Sequence, residues 1–278
     1  MKAKVLYQHI LANVSQILQD EKEFQPTSSI IFRHFVDDEF ALLLDKEIKP
    51  IDESFLNDIF QRLRHDEPIQ YILQKTFFLN LPLYVDKNVL IPRPETEEMV
   101  LDVYKCLNKV KGKVLDIGTG SGCIALSLKK KFIDAQVDAI DINPKSLEVA
   151  KRNAKINGLE VNFIAKDILK TETLDEKYDL IISNPPYICQ SEKRGMSERV
   201  VEFEPSIALF VEDDDPLIFY KKIIALAKEN LNEGGWLFVE INENFGEETA
   251  RLMFGLQNVT INKDINGKDR WISARFLR

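Results

Sequence analysis

The chain of 278 residues carries 37 basic and 45 acidic side chains, a formal net charge of −8, with 45% apolar and 29% charged residues. That size suits one catalytic domain with a smaller companion, and that composition supports a real apolar core. The acidic balance excludes a general attraction to phosphate backbones, although a local basic patch can still bind nucleic acid. The three cysteines (Cys106, Cys123, Cys189) form no C-x-x-C pair, and the three histidines (His9, His34, His65) lack the spacing of metal ligands. Reduced thiols and no metal site are therefore expected. No continuous apolar h-region opens the chain, and no stretch approaches ~18 apolar residues, so a cytoplasmic protein with no membrane partner is expected.

From Lys4 to about Gln74 the pattern is helical. Leu6, Ile10, Val14, Ile17 and Leu18 recur at three- and four-residue steps, which places them on one helix face. Asp20–Thr27 reads as a polar break before a second helix over Ser28–Phe35. Asp37 offers an N-cap for a helix through Leu44, and Asp52 offers one for Ser54–His65. A helical domain is expected over residues 1–75, and its position alone suggests substrate recognition. Thr76–Ile91 is strand-like, with Asp86-Lys87-Asn88 as the turn, and reads as a β-hairpin linker over 76–91. Pro92 and Pro94 then hold extended backbone, and Thr96 is placed to cap a helix running to about Lys109.

Residues 92–278 complete an alternating α/β pattern. Strands are expected at Lys113–Ile117, Gln136–Ile140, Val161–Ala165, Tyr178–Ser183 and Trp236–Ile241. Helices are expected at Gly122–Lys131, Pro144–Asn157 with Asn143 as cap, Pro216–Leu231 and Glu247–Leu256. Val259–Ile265 and Arg270–Phe276 make a closing hairpin around Asn266-Gly267. The order predicts a Rossmann-like, mostly parallel open sheet with helices on both faces.

The first of these strands runs into Asp116-Ile117-Gly118-Thr119-Gly120-Ser121-Gly122. Glycine at 118, 120 and 122 lets the backbone turn tightly and approach a ligand. Asp141 ends the next strand, where a carboxylate takes ribose hydroxyls. Asp167 follows the third strand, within reach of an adenine amino group, and Ile168 beside it either packs on the adenine ring or belongs to the core. The G-x-G-x-G spacing departs from the G-x-G-x-x-G of nicotinamide enzymes, and Asp116 before the glycines is more typical of methyltransferases. Asp116 either orients the loop or meets a ligand ammonium through water.

Tyr178–Ser183 leads into Asn184-Pro185-Pro186-Tyr187 at the carboxyl end of a central strand, where open α/β sheets place their chemistry. The prolines remove two donors and fix the path, leaving rigid carbonyl acceptors. A planar NH2 group can donate to the Asn184 oxygen and the Pro185 carbonyl while Tyr187 stacks on it. Such a clamp orients the nitrogen toward an electrophilic methyl group and needs no strong base, so orientation and electrostatics supply the catalysis.

With these residues in view, the chain resembles the release-factor glutamine N5-methyltransferases. The resemblance rests on Glu67–Leu73, Leu90–Glu97 with its Pro-Arg-Pro-Glu-Thr-Glu run, Asp116–Ala125, Asp141–Pro144, Asn184–Ile188 and Glu204-Pro205 with Ala208-Leu209. It covers about residues 60–278. The resemblance implies S-adenosyl-L-methionine as donor, S-adenosyl-L-homocysteine as product, and the glutamine amide of a release factor's Gly-Gly-Gln loop as acceptor. It further implies cofactor contacts from Gly118, Thr119, Gly120, Ser121, Gly122, Asp141, Asp167, Ile168 and Asn184, with Pro94, Glu95 and Thr96 near the methionine end. Asn184, Pro185, Pro186 and Tyr187 are implied to hold the glutamine, and Asn184, Pro185 and Tyr187 to be catalytic. A monomer with no direct nucleic-acid partner is expected.

Two positions depart from the family pattern, Gln74 and Asn242, where glycine is usual or frequent. Cys189–Val201, with Lys193, Arg194 and Arg199, reads equally as a substrate-ordered lid or a surface loop. An exocyclic-amino methyltransferase of adenine or guanine shares the same chemistry and stands as the alternative. A non-catalytic binding module on the same fold is the third reading, which the intact Asn-Pro-Pro-Tyr disfavours.

Overall fold

The computed structural model describes residues 1–38 and 40–277. They form two compact units, one of Met1–Gln74 with Glu198–Phe203, the other of Lys75–Ser197 with Glu204–Arg278. Among the described residues no helix is long and apolar enough to cross a membrane.

The smaller unit is helical. In α1 (Ala3–Ile17), Ala3, Leu6, Ile10 and Val14 are buried, the stripe expected of a 3.6-residue period. α2 spans Glu21–Phe35, so Asp20–Thr27 is not a break. The Asp20 side chain accepts from the Lys22 N–H, and Glu21 and Glu23 lie in the first turn, where the helix dipole favours acids. Polar residues there start the helix, and Pro26 sits within it at the loss of one donor. The expected helix from Asp37 to Leu44 is instead a turn capped by Asp38, whose carboxylate accepts from the Phe40 N–H. Phe40, Leu43 and Leu44 are more than half exposed, so no apolar stripe is buried to hold a helix. α3 (Glu53–Arg64) is capped by Asp52 as expected. α4 (Ile69–Leu73) ends at Gln74 in the left-handed region, at φ 51° and ψ 36°. The distant helix α8 (Glu198–Phe203) joins this unit, and its Arg199 pairs with Glu23 at 3.0 Å and Asp66 at 3.6 Å.

The larger unit opens with a short hairpin, β1 (Thr76–Phe78) and β2 (Leu81–Leu83). Its turn is Leu79-Asn80, at φ 44° and 61°, and not Asp86-Lys87-Asn88. Positive φ at both central residues is the two-residue turn that matches strand twist, and an asparagine tolerates it. Residues 84–91 are not strand. α5 runs over Pro94–Cys106 with Pro94 at its first position, so Thr96 lies inside the helix and does not cap it.

The remaining strands are β3 (Lys113–Ile117), β4 (Gln136–Asp141), β5 (Asn162–Ala165), β6 (Tyr178–Ser183), β9 (Leu231–Glu240), β10 (Gln257–Lys263) and β11 (Asp269–Arg275). They form one sheet in the order β10-β11-β9-β6-β3-β4-β5. β11 runs antiparallel to both neighbours, and the other pairs are parallel. A separate pair, β7 (Ile188–Cys189) and β8 (Phe210–Val211), is parallel. The helices are α6 (Cys123–Lys131), α7 (Pro144–Asn157), α8, α9 (Ser206–Leu209), α10 (Ile218–Asn230) and α11 (Gly246–Leu252). Side chains alternate across the sheet. Val114, Leu180 and Ile182 join one core with Met99 and Ile124, whereas Leu115, Ile117 and Ile181 join the other with Tyr220 and Ile224. The chain leaves β3 outward to β4 and β5, then returns to place β6 on β3's other side. The crevice at the carboxyl ends of β3 and β6 is thus the switch point where such sheets bind ligands.

Gln74 is exposed and carries a Cβ in a backbone conformation that glycine adopts freely. Gln74→Gly is expected to stabilise the protein by about 0.5–1 kcal/mol, allowing for glycine's larger unfolded-state entropy. Thermal melting should show a rise of about 1–3 °C with turnover unchanged, and a lower melting temperature would contradict it.

Candidate functional site

The glycine loop is built by the residues around it. Gly118, Gly120 and Gly122 have φ of 76°, 53° and 81°, where any other residue is strained. The N–H groups of Gly118 and Thr119 both donate to the Ile140 carbonyl, at 2.8 and 3.0 Å. Asp116 is fully buried, and its Oδ2 accepts from Thr119 Oγ1 at 2.6 Å and from the Ala125 N–H at 3.1 Å. Of the two roles expected for Asp116, orienting the loop is therefore the one its contacts display. Burial pushes its carboxyl up to about 7, and its Oδ1 has no hydrogen-bond partner.

Asp141 closes the loop from the next strand. Its Oδ2 accepts from the Gly120 N–H at 2.9 Å and its Oδ1 from the Asn143 N–H at 2.8 Å. Burial raises its pKa, and those backbone donors oppose the rise. Asp167 caps a 3-10 turn over Ile168–Lys170, accepting from the Leu169 N–H at 3.0 Å and pairing with Lys170 at 3.2 Å. Ile168 is 8% exposed and packs in the core that holds Leu115 and Ile117.

The Asn-Pro-Pro-Tyr segment is fastened by a residue that motif reading passes over. Ser183 pairs with Val239 across β6 and β9, which brings Glu240 level with Asn184. Glu240 is 1% exposed. Its Oε2 accepts from Thr96 Oγ1 at 2.6 Å and its Oε1 from the Tyr187 hydroxyl at 3.1 Å. Thr96 in turn accepts from Asn184 Nδ2 at 3.0 Å. Burial pushes the Glu240 carboxyl up to about 7, against the lowering effect of Thr96, Tyr187 and Arg270. Burial also carries the Tyr187 phenol well above its ordinary value, with Glu240 adding to the shift. Asn242 has φ −68°, so the missing glycine brings no strain there. Its Nδ2 donates to the Tyr187 carbonyl and to Glu192, both at 3.1 Å.

A third buried carboxylate fixes the Pro-Arg-Pro run. Glu204, 4% exposed, accepts from the Ile91 N–H at 3.2 Å and from the Arg93 guanidinium at 2.6 Å. The segment that reads equally as a lid or a surface loop makes contacts of its own. Glu192 in the 3-10 turn Gln190–Gly195 accepts from the Cys189 N–H at 2.8 Å, and α8 belongs to the helical unit.

These elements enclose a cavity of about 300 Å³, in the size range of small-molecule sites. Gly118, Thr119, Gly120, Ser121, Asp141, Asp167, Ile168, Thr96, Asn184, Pro185 and Pro186 line it. Gly122, Pro94, Glu95 and Tyr187 are not among the lining residues. Gly122 instead sits in the loop-to-helix junction, where an added Cβ would lie 3.2 Å from Ala150. The Tyr187 ring packs on the core and its hydroxyl points to Glu240, so the expected stacking face is turned to the protein. Arg93, Pro205, Ile207 and Phe219 are among the other residues of the wall and were not expected there. Cys123 also lines it, but burial pushes its thiol up to about 12, so it offers no nucleophile.

A family model described as the methyltransferase small domain matches residues 100–203. A release factor glutamine methyltransferase of Flavobacterium psychrophilum is 45% identical over 266 residues, covering 92% of this chain and 93% of that protein. A release factor glutamine methyltransferase of Bacteroides thetaiotaomicron is 40% identical over 95% of this chain and 98% of its own length. Among solved structures, a methyltransferase from Pyrococcus furiosus shares the fold with a TM-score of 0.54 at 20% identity, covering 72% of this chain and 91% of that one.

The raised Asp116 carboxyl has a signed consequence. Between its ordinary 3.8 and about 7 the folded state holds the proton and the unfolded state does not, so stability is lost as pH rises through that window. Asn at this position accepts from Thr119 and Ala125 without a buried charge. The stability of Asp116→Asn relative to the parent should therefore grow by roughly 1–3 kcal/mol from about pH 5.5 to about pH 8.5. Urea unfolding of both proteins at the two pH values measures it, and a pH-independent difference would show that Asp116 is already ionised at the lower one.

Proposed function

The chain belongs to the release factor glutamine methyltransferase family, and from that premise we propose that it methylates the glutamine side-chain amide in the Gly-Gly-Gln loop of a release factor. The observation that carries this reading is the meeting of the glycine loop and Asn184-Pro185-Pro186 in one cavity at the carboxyl ends of β3 and β6. S-adenosyl-L-methionine is the donor in this reading, and when bound it supplies an electrophilic methyl group on a cationic sulfur. The cavity fits such a group. Its floor is backbone held at positive φ, where a Cβ would be strained, and Asp141 presents a partly buried carboxylate beside it.

The chain's own residues then have separate tasks. The loop from Gly118 to Ser121 and Asp141 hold the nucleoside end, with Asp167 and Ile168 beside the base. Asn184 Oδ1 and the Pro185 carbonyl accept the two N–H bonds of the substrate amide. Holding both protons would keep the nitrogen planar and aligned, and would favour electron density on nitrogen as the N–C bond forms in place of the methyl carbon's bond to the donor sulfur. The methylated nitrogen then loses one proton, so no strong base is required. Thr96, Glu240 and Tyr187 support the clamp from behind. The net charge of −8 favours a protein acceptor over a polyphosphate. This reading places the enzyme in the cytoplasm, where release factors work.

Purified protein with methyl-labelled S-adenosyl-L-methionine should label release factor and leave total RNA and DNA unlabelled. Label in nucleic acid alone would replace this reading with the amino-methyltransferase of adenine or guanine. Asn184→Ala is expected to lower turnover by about 100-fold or more, the scale of losing one oriented polar contact to the reacting group. Near-normal turnover in that variant would remove the amide clamp from the mechanism.

A further inference from the structure

We propose that Glu240 and Thr96 are positioning residues that decide which end of the Asn184 amide faces the cavity, and thereby make the site select a carboxamide over a carboxylate. The proposal rests on the reading that Asn184 holds the acceptor amide.

An asparagine side chain has a donor end and an acceptor end of nearly the same shape. Nothing in its size dictates which end faces a ligand. The direction is set here by a chain of three groups. An ionised carboxylate only accepts. Glu240 Oε1 is taken by the Tyr187 hydroxyl and Oε2 by Thr96 Oγ1. The hydroxyl of Thr96 has one proton, which it gives to Glu240 at 2.6 Å. Toward any third group it can therefore only accept. Asn184 must turn its NH2 end to it, and Nδ2 does lie at 3.0 Å. Oδ1 is the end that remains for the cavity, which Asn184 lines. Thr96 is 2% and Glu240 1% exposed, so water has no room to substitute for a missing partner.

Turned the other way, Asn184 would set oxygen lone pairs against those of Thr96 and leave a buried acceptor unpaired, which is costly. The carboxylate of Glu240 thus acts at a distance of two hydrogen bonds. It makes the visible face of the clamp all acceptor, formed by Asn184 Oδ1 and the Pro185 carbonyl. An NH2 group with two donors fits that face. A carboxylate of the same shape brings lone pairs to lone pairs and is refused. The relay therefore distinguishes a glutamine from a glutamate in the same loop, a difference of one atom type with almost no change in size.

The test uses the intact protein at about pH 8.5, where Glu240 is ionised, its carboxyl having been pushed up to about 7. Two forms of release factor are compared, one with the loop glutamine and one with glutamate in its place. The first is followed as a substrate through kcat and KM, the second as a competitive inhibitor. The parent protein should bind the glutamate form at least about 10-fold more weakly than the glutamine form. Equal binding within about threefold overturns the proposal without any variant. In Thr96→Val the hydroxyl is gone, and Asn184 is free to turn its NH2 end to the cavity. The expected result is a loss of about 10-fold or more in kcat and a shift of similar size in relative binding toward the glutamate form. Thr96→Ser keeps the hydroxyl and should restore most of both. Circular dichroism and thermal melting verify that the variants fold. A Thr96→Val variant that loses activity with the binding ratio unchanged assigns Thr96 a merely structural role and overturns the relay alone. Failure of the parent protein to label release factor at all overturns the assignment of the acceptor, and the relay with it.

Discussion

A carboxylate that water does not reach organises this site. Glu240 lies at the end of β9, one strand from the Asn-Pro-Pro-Tyr segment, and is 1% exposed. An ionised group in such a place is tolerated only if its lone pairs are met. They are met by Thr96 from α5 and Tyr187 from the chain after β6. One side chain therefore binds three separate pieces of the fold to one another. Remove it, and Thr96 and Tyr187 each lose a partner in a dry interior, while Asn184 loses the reason for its orientation. Asp116 also joins separate groups, fixing Thr119 and the first turn of α6 through one oxygen while the other has no partner.

Both carboxylates are expensive. Burial raises each to about 7, which means the fold would be more stable with neutral groups in those places when the medium is alkaline. The retained charges make sense as the cost of direction, because a carboxylate dictates the hydrogen-bond polarity of everything attached to it. Apolar packing cannot do this, since dispersion has no sense of donor and acceptor. The sheet supplies the frame for it. Parallel strands β3 and β6 end at the same level, Ile117 paired with Ser183, so the glycine loop and the Asn-Pro-Pro-Tyr segment begin side by side.

Much of this was legible beforehand because it depends on local rules. Positive φ at alternate glycines, an Asn-Pro start to α7 and strand-helix alternation are written in consecutive residues, and the strands from β3 to β6 fall within a residue of their expected bounds. What was not legible depends on residues far apart in sequence. Thr96 looks like a helix cap because it follows two prolines, yet Pro94 takes the first helical position and turns Thr96 inward. Glu240 is 144 residues from Thr96 in the chain, and only the register of β9 on β6 shows that they meet. Tyr187 reads as a stacking platform from its chemistry alone, and the buried carboxylate redirects it. The polar stretch Asp20–Thr27 looks like a break for a simpler reason, since a capped first turn and a loop share the same composition.

The two departures from the family pattern show the same division between local and distant causes. Gln74 occupies a left-handed position, and the consequence is a small local strain on an exposed residue. Asn242 is different. At φ −68° its backbone asks for no glycine, and its side chain reaches the Tyr187 carbonyl and Glu192. Glycine at that place could not make either bond. Asn242 thus holds from the carboxyl side the segment that Glu240 holds through the tyrosine hydroxyl, and Glu192 ties in the chain that follows. Tyr187 is then gripped at its carbonyl and at its phenol, on opposite ends of the residue. Two prolines before it already restrict the backbone. A peptide restrained at that many points has little freedom left to adjust to a ligand, so in the proposed mechanism its acceptor groups are set in advance, which is the condition under which hydrogen bonds contribute most to catalysis.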